Sequence, residues 1–487
     1  MKILLTTPLL HTKAASGHAQ EGFIPPVGMI SIYNYLRSRG YDVTFLDMQF
    51  GDYDLQAFRA YLKHAQYDVV GLSVYTPTAD FAFKTAAVIR EALPGAKVLM
   101  GNVHATAMPE RSMRECPELD FIIMYEGEYA TEKLIRELMA GTPDFSKVPN
   151  LVYRQGGKIV INPQAAFIEQ LDDLPLGFYG DLDLRRYIPH VSQYTRLPCY
   201  PVLTQRGCPF SCIYCSAHMA LGRKLRAFST ARVVEELKIL IRDHNARDIY
   251  FQDSTFTTDR VYTMDLMKRL IEAKLDLVWS CNTRADKVDP ELLDMMRKAG
   301  CRRIVVGIES GNQATLDFIK KRTTVEKQTQ GMKWIHQAGI RTMTNFIICL
   351  PGETPEMVQN TIRYAISLRA EMALFWLPLP YPKTVLYDIC NEAGHIRAGY
   401  QWKDLLGTDT SNPVYVNPDF GLEGMQYWYW KAYRDYYTSP AIWWTILKHL
   451  HTRDDWRKLR RAFQYLCRVG KEKIFPVRRV GTPPVEA

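Results

Sequence analysis

The sequence predicts an α/β protein made of two successive parallel sheets, a doubly wound sheet followed by a partial (β/α)6 barrel, with a helical region closing the chain. Three observations carry this. Short apolar runs alternate with helical patterns through the first 140 or so residues, a stretch rich in Pro, Gly and Asp interrupts them, and the alternation resumes near residue 198 to stop after Leu386. At 487 residues the chain is too long for one core, since cores stop growing at roughly 250 to 300 residues. With 47% hydrophobic and 23% charged residues it has the composition of a folded globular protein.

In the first series the strand candidates are Ile3 to Thr6, Val43 to Leu46, Val69 to Val74, Val98 to Met100 and Phe121 to Met124. Helical patterns lie between them. Val27 to Arg39 sets Met29, Ile32, Tyr33 and Leu36 on one face and stops at Gly40, and Leu55 to Ala65, Ala79 to Leu93 and Ala130 to Ala140 follow. Strands joined by helices of this length must pair in parallel through right-handed crossovers. Ligands then sit at the carboxyl ends of the strands, which here read TTP (Thr6 to Pro8), SVYTPT (Ser73 to Thr78), GNVHAT (Gly101 to Thr106) and YEGE (Tyr125 to Glu128). Small residues at these ends let a large planar or phosphate-bearing ligand approach the backbone, although they also end strands in any protein.

Residues 142–197 read as a hairpin plus an extended linker. The second series places strands at Tyr200 to Thr204, Asp248 to Gln252, Leu277 to Asn282, Arg303 to Gly307, Thr342 to Ile348 and Met372 to Leu377. Helices such as Ala231 to Asp243, Pro290 to Lys298 and Pro355 to Leu368 separate them, so active-site residues belong at the carboxyl ends of these strands too. The expected division is 1–141, 142–197, 198–388 and 389–487. The segment Tyr427 to Leu450 reads as helical, its Trp and Tyr residues either packing on the barrel or forming a lipid or substrate surface.

The ten cysteines are scattered apart from one cluster, and MKILLTTPLL breaks at Pro8 as a buried first strand does, so a cytoplasmic protein with reduced thiols is expected. No run of 18 or more apolar residues suggests a membrane span. The net charge of +9 is concentrated in Arg453 to Val480, a stretch that suits anionic lipid or an acidic partner, or a solvated helix face. No recognised nucleic-acid module accompanies it, so nucleic acid is not an expected partner.

The one cysteine cluster is RGCPFSCIYCSAH, Arg206 to His218, where Cys208, Cys212 and Cys215 stand within eight positions. A structural zinc site wants four closed ligands, which His218 could complete locally. A 4Fe-4S cluster held by three cysteines keeps one iron open for a substrate or cofactor, and the cluster follows the predicted first barrel strand, at the barrel mouth.

CPFSCIYC resembles the C-x-x-x-C-x-x-C signature of the radical S-adenosylmethionine (radical SAM) superfamily, whose six-unit barrel matches the predicted second series. The resemblance implies that Cys208, Cys212 and Cys215 hold the cluster, that SAM chelates the open iron, and that Tyr214 lies against adenine. FQDSTF, NTRAD and GIESG fall at the ends of the second, third and fourth strands, so Asp253, Ser254, Asn282, Arg284 and Glu309 are implied SAM contacts. NFIICLPGET resembles the family's G-L-P-G-E-T strand end with Cys349 in place of Gly, a core thiol or else a hydrogen-donating catalytic one. LPYPKT places Lys383 where P-Y-P-G-T has Gly, which suggests altered local backbone.

The first series, flavodoxin-like and fused to such a barrel, resembles the cobalamin-binding subclass, which includes carbon and phosphorus methylases and the anaerobic magnesium-protoporphyrin monomethyl ester cyclase. Implied cobalamin contacts are Thr6, Ser73, Thr76, Gly101, His104, Glu126 and Gly127. The D-x-H-x-x-G motif that supplies cobalt with a lower ligand elsewhere is absent, and Asn102 and Ala107 break any match around His104, which is expected to touch the corrin or its tail rather than cobalt. The implied activity is methylation of an unactivated carbon of a small molecule, such as a lipid, tetrapyrrole or natural product. The alternatives are a ring-modifying radical cyclase or oxidoreductase and, more weakly, a non-catalytic cobalamin and iron–sulfur carrier. An electron donor such as flavodoxin or ferredoxin is implied, and peripheral membrane contact stays open.

Overall fold

The computed structural model describes residues 1–9, 22–50, 52–177, 182–190, 193–407, 410–450, 455, 456 and 460. Apart from those last three residues, the basic run Arg453 to Val480 lies outside them. No described helix is long and apolar enough to cross a membrane.

The first unit contains β1 (Lys2–Thr6), α1 (Val27–Ser38), β2 (Asp42–Leu46), α2 (Leu55–Ala65), β3 (Val69–Ser73), α3 (Ala79–Ala92), β4 (Lys97–Gly101), α4 (Val103–Ala107), α5 (Pro109–Glu115), β5 (Phe121–Ile123) and α6 (Glu128–Met139). The strand order β2-β1-β3-β4-β5 is parallel throughout, with Ile3 facing Val43 on one side and Val69 on the other. The order reverses direction at β1 and β3, which opens a crevice at their carboxyl ends. The predicted hairpin, β6 (Leu151–Gln155) and β7 (Lys158–Ile161), extends this sheet: β6 pairs antiparallel with β5, Phe121 opposite Tyr153. It therefore covers what would be an open β5 edge, rather than serving as a loose connection.

The second unit contains β8 (Cys199–Val202), the short β9 (Gln205–Arg206), α7 (Ala217–Leu221), the short β10 (Arg226–Ala227), α8 (Thr230–His244), β11 (Asp248–Phe251), α9 (Arg260–Ala273), β12 (Val278–Thr283), α10 (Pro290–Lys298), β13 (Cys301–Glu309), α11 (Gln313–Phe318), α12 (Val325–Gln337), β14 (Arg341–Ile347), α13 (Pro355–Ser367) and β15 (Met372–Trp376). The six long strands pair in parallel in chain order, β8-β11-β12-β13-β14-β15. Their helices start at side-chain caps: Ser229, Asp259, Asp289, Thr324 and Thr354 each accept a hydrogen bond from a backbone N–H of the first turn. Phe251, Phe256 and Trp279 pack with ring centroids 4.9–5.4 Å apart, fully buried among the strands.

After β15 come α14 (Val385–Glu392), α15 (Gly421–Tyr437) and α16 (Pro440–Lys448). The aromatic segment packs on the barrel through α15. Tyr433 hydroxyl accepts from Phe375 N and donates to Phe375 O, both at 3.2 Å, and Tyr437 hydroxyl does the same at Ala373, at 3.2 and 3.0 Å. Two tyrosines four residues apart on a helix thus satisfy alternate residues of the free edge of β15.

Candidate functional site

The cysteine motif sits on an excursion from the carboxyl end of β8. Its neck is closed by β9 and β10, where Arg206 pairs with Arg226. Gly207, with φ +100°, follows at once, and a Cβ there would lie 2.1 Å from Lys224 O, so no other residue fits. Inside the excursion Cys208 N donates to Gly222 O (3.1 Å) and Ile213 N to Ile319 O (3.1 Å), fixing the loop across the ends of β8 and β13. Cys208, Cys212 and Cys215 are half-buried. Burial raises the Cys212 thiol, against the nearby charges of Lys321 and Arg284, and pushes Cys215 up to about 11. Among the described residues no three His, Cys, Asp or Glu side chains stand close enough for one metal ion. The three thiols feel one another's charge.

Around Cys212 the barrel mouth gathers four of the side chains discussed above or adjoining them. Arg284 stacks over the Phe210 ring at 4.2 Å, grips Asp286 with two hydrogen bonds (2.9 and 2.8 Å) and donates to Lys321 O (2.7 Å), while its Nη1 is buried without a partner. Lys321 Nζ bonds Glu309 Oε1 at 2.8 Å, both buried, and Glu309 ends β13 in the left-handed region at φ +69°. Burial and the Glu309 charge raise the Tyr214 phenol, which lies within reach of that carboxylate. Asn282 sits one strand away, accepting from Tyr250 hydroxyl at 2.7 Å. The remaining predicted residues stand apart. Asp253 is fully buried and turned into the neck of the loop, accepting from Thr204 N (2.8 Å), Thr204 Oγ1 (2.6 Å) and Gln205 N (2.9 Å), and burial lifts its carboxyl to about 6. Ser254 is exposed. Cys349 is sealed below the β14 end with its thiol raised by burial, and φ is +64°. Lys383 holds φ +65°, so both positions keep the left-handed backbone that glycine would favour, and the altered backbone expected at Lys383 is not found.

A cavity of about 480 Å³ lies between the strand ends of the first sheet and the cysteine excursion. Ser73, Thr76, Gly101, Glu126 and Gly127 line it, facing Arg206, Ser216 and Ala217 of the second unit, with Tyr381 at the side. Asn102, at φ +84°, donates to Ser73 Oγ (2.9 Å) and shapes its floor. Thr6 does not reach the cavity; its hydroxyl donates to Leu46 O at 2.7 Å. His104 is fully buried beneath the floor, edge-on to Trp402 with ring centroids 4.7 Å apart, and burial with the Arg111 charge lowers it to about 3, so it stays neutral and outside the cavity wall.

The sequence reading missed the residues that join the two units. Arg206 donates to Glu126 Oε1 (3.0 Å), Glu128 Oε1 (2.6 Å) and Ser31 Oγ (3.1 Å). Arg226 Nη1 donates to both oxygens of Glu126 (2.9 Å each) and to Ile168 O (2.7 Å). All four charged side chains are nearly inaccessible. Burial alone would raise Glu128, but the Arg206 charge and hydrogen bond hold it below the usual carboxylate range. The available signal was two arginines bracketing the cysteines and two glutamates two positions apart at a strand end.

Comparison with known proteins agrees with this geometry. Residues 202–365 match the Radical SAM superfamily and residues 17–135 the B12 binding domain. An uncharacterized methyltransferase of Pyrococcus horikoshii is 30% identical over 91% of this chain and 94% of its own. The chain belongs to the B12-binding radical SAM family. The anaerobic magnesium-protoporphyrin IX monomethyl ester cyclase of Rubrivivax gelatinosus is 29% identical over 80% of this chain and 70% of its own. The solved structure of the radical SAM methyltransferase TsrM from Kitasatospora setae, with cobalamin and a 4Fe-4S cluster bound, shares the fold at TM-score 0.69 and 19% identity, covering 89% of this chain and 91% of that one.

The residues of this radical SAM protein fit the groups its family uses. Three thiols stand at the barrel mouth beside a buried arginine with one unpartnered N–H, a donor suited to a cluster sulfur or a SAM carboxylate. The cavity wall is largely apolar with Ser, Thr and Asn at the strand ends, as a broad flat ligand requires. Among the described residues that line it there is neither histidine nor cysteine.

Proposed function

We propose that this enzyme methylates an unactivated carbon of a small, largely apolar substrate. The cavity carries the reading: a space of about 480 Å³ is walled on one side by the strand ends of the B12-binding unit and on the other by the cysteine excursion. When bound, the 4Fe-4S cluster with SAM supplies a hydrogen-abstracting radical, and cobalamin supplies the methyl group.

The chain's own residues define where that happens. Cys208, Cys212 and Cys215 hold the cluster, and Arg284 with Lys321 offsets the negative charge collected at Cys212. Glu309 faces the polar end of SAM and Tyr214 its adenine, while Asn282 lines the approach. Asp253 orients the loop through Thr204 and Gln205 instead of touching SAM. Ser73, Thr76, Gly101, Glu126 and Gly127 receive the corrin, Thr6 and His104 support its floor from below, and Cys349 takes no part because it is sealed off. In this reading the hairpin belongs with residues 1–141, the barrel spans 198–388, and the helical region 389–487 covers it.

The test is anaerobic purification with cobalamin supplied. About four irons and one corrin per chain, followed by equal formation of 5′-deoxyadenosine and S-adenosylhomocysteine, support methyl transfer. Deoxyadenosine without S-adenosylhomocysteine favours the second reading, a ring-modifying cyclase, for which the 29% identity to the Rubrivivax gelatinosus cyclase speaks. We assign the protein to the cytoplasm with peripheral membrane contact through α16, where Trp444 and Leu447 are 61% and 48% exposed beside Lys448. Flotation with anionic vesicles, and its loss in Trp444→Ser, checks this.

A further inference from the structure

The chain that follows the hairpin, expected from the sequence to be part of an extended linker, is wedged between the two units. Ile168 N donates to Glu126 Oε2 at 2.7 Å, at a strand end that lines the corrin cavity. Ile168 O accepts from Arg226 at 2.7 Å, on the return leg of the cysteine excursion. The half-buried Phe167 ring lies edge-on to Tyr125, another cavity residue, with centroids 5.8 Å apart, and 5.0 Å from the Arg226 guanidinium. It also fills the space beside Gly222, where a Cβ would come within 2.8 Å of the ring. Gly222 O is the acceptor for Cys208 N at 3.1 Å. An unbroken line of contacts therefore runs from the cavity wall through Phe167 to the first cysteine.

Arg226 makes a second line. Its Nη1 binds both oxygens of Glu126 at 2.9 Å, and its Nη2 donates at 2.7 Å to the carbonyl of Leu221, the last residue of α7. That helix starts beside the third cysteine, where Ala217 N donates to Cys215 Sγ at 3.5 Å, and its Ala217, Ala220 and Leu221 line the cavity. A carboxylate has roughly four acceptor positions, and Arg206, Arg226 and Ile168 N take all those of Glu126. The Glu126 charge thus serves the cysteine loop rather than a ligand.

We propose that Arg226 and Phe167 are positioning residues that hold the cysteine loop at one fixed separation from the corrin wall. The inference rests on the B12-binding radical SAM reading, whatever reaction follows. Domains of one chain move relative to each other by default, and buried charged hydrogen bonds of fixed fork geometry remove that freedom. Two reacting groups delivered from opposite walls meet only if the walls keep their spacing, and a displacement of about 1 Å can cost on the order of a hundredfold in rate.

The test loads wild-type, Arg226→Met and Phe167→Ala proteins with iron, sulfide and hydroxocobalamin and reduces them with dithionite. Electron paramagnetic resonance then reads the splitting of the cob(II)alamin signal by the reduced cluster, which falls steeply with the distance between the two spins. Wild type should show one sharp splitting. In both variants, fully loaded, it should broaden and weaken by at least about a quarter, as a displacement of about 1 Å produces. Tyr433→Phe, which loosens the β15 edge instead, should keep the wild-type splitting. A variant that loads in full with its splitting unchanged overturns the proposal, and so does a wild type that carries both groups without splitting. Loss of iron or corrin from both variants also overturns it, since the residues would then serve binding rather than spacing, as does equal weakening in Tyr433→Phe. A wild-type protein that takes up iron but no corrin refutes the corrin reading of the cavity instead.

Discussion

Replacing Arg206 with methionine removes one cation from a buried set of two arginines and two glutamates. Glu126 keeps Arg226 at 2.9 Å, but Glu128 loses its only cation in the set and retains Ser31, whose hydroxyl donates to it at 2.5 Å. Breaking a buried pair from one side costs about 3–5 kcal/mol, because the remaining charge stays desolvated. The upper end would require a fully orphaned carboxylate, and the Ser31 bond places the expected loss near 3 kcal/mol, roughly a hundredfold in the folding equilibrium. Adding Glu128→Gln removes the stranded charge and should restore at least about 1 kcal/mol. Urea unfolding of the apoprotein at pH 7 reads both values. A single-variant loss under about 1 kcal/mol, or additive losses in the double variant, would refute the idea that the two units are joined by a desolvated charge network. The sign of the pH effect follows from Glu128. Its folded value is depressed, so its stabilisation is present above the ordinary carboxylate range near 4.5 and is lost as pH falls through the folded value.

Gly207→Ala meets Lys224 O and an unfavourable φ together, so it should lower thermal stability and abolish iron loading, whereas Gly352→Ala, with open space around it at φ +78°, should cost only about 1 kcal/mol. Iron content and melting temperature of the two variants separate these outcomes. Changing all three of Cys208, Cys212 and Cys215 to serine should remove the iron and leave corrin binding within about threefold of wild type, read by the corrin absorbance retained on a desalting column. Glu353, held by Leu350 N and Thr315 hydroxyl, is raised by burial to about 7, so the folded state binds its proton more tightly and stability falls as pH rises from about 4.5 to 7. Glu353→Gln should therefore gain on wild type by about 1–3 kcal/mol between pH 5 and 8, and parallel denaturation curves at both pH values would contradict it. Tyr433→Phe leaves Phe375 N and O unpaired at the β15 edge and should cost about 1–3 kcal/mol by chemical denaturation.

Strand order and the position of the cysteine loop were legible because both depend on local pattern: apolar runs of strand length, helical spacing between them, and a motif following the first barrel strand. The strand ends were legible for the same reason, and five of the seven residues expected around the corrin line the cavity. Side-chain direction was not. His104 and Thr6 belong to the right loops but point to the core, a choice made by packing against Trp402 and by the Leu46 carbonyl. Asp253 has the expected position and the opposite orientation, because three donors of the loop neck are nearer to it than the mouth. The Arg206 network was hidden by separation, its partners lying 78 and 80 positions away. Cys349 and Lys383 show a further limit: a non-glycine side chain tolerates the left-handed region at a cost of order 1–3 kcal/mol when its neighbours impose it, so a missing glycine did not mean a changed turn.

The tyrosines of α15 also bear on how such a protein could diversify. A seventh strand would have to keep register with β15 at every residue, and any change in its length or tilt would disturb the sheet that carries the chemistry. Two phenols ask much less, only that a helix pass at the right distance with a tyrosine at each end of one turn. The wall nearest the last strand is thus hung on the barrel at two points, like a panel on hinges. Insertions beyond those points can reshape what the barrel admits while the reacting centre stays where it is.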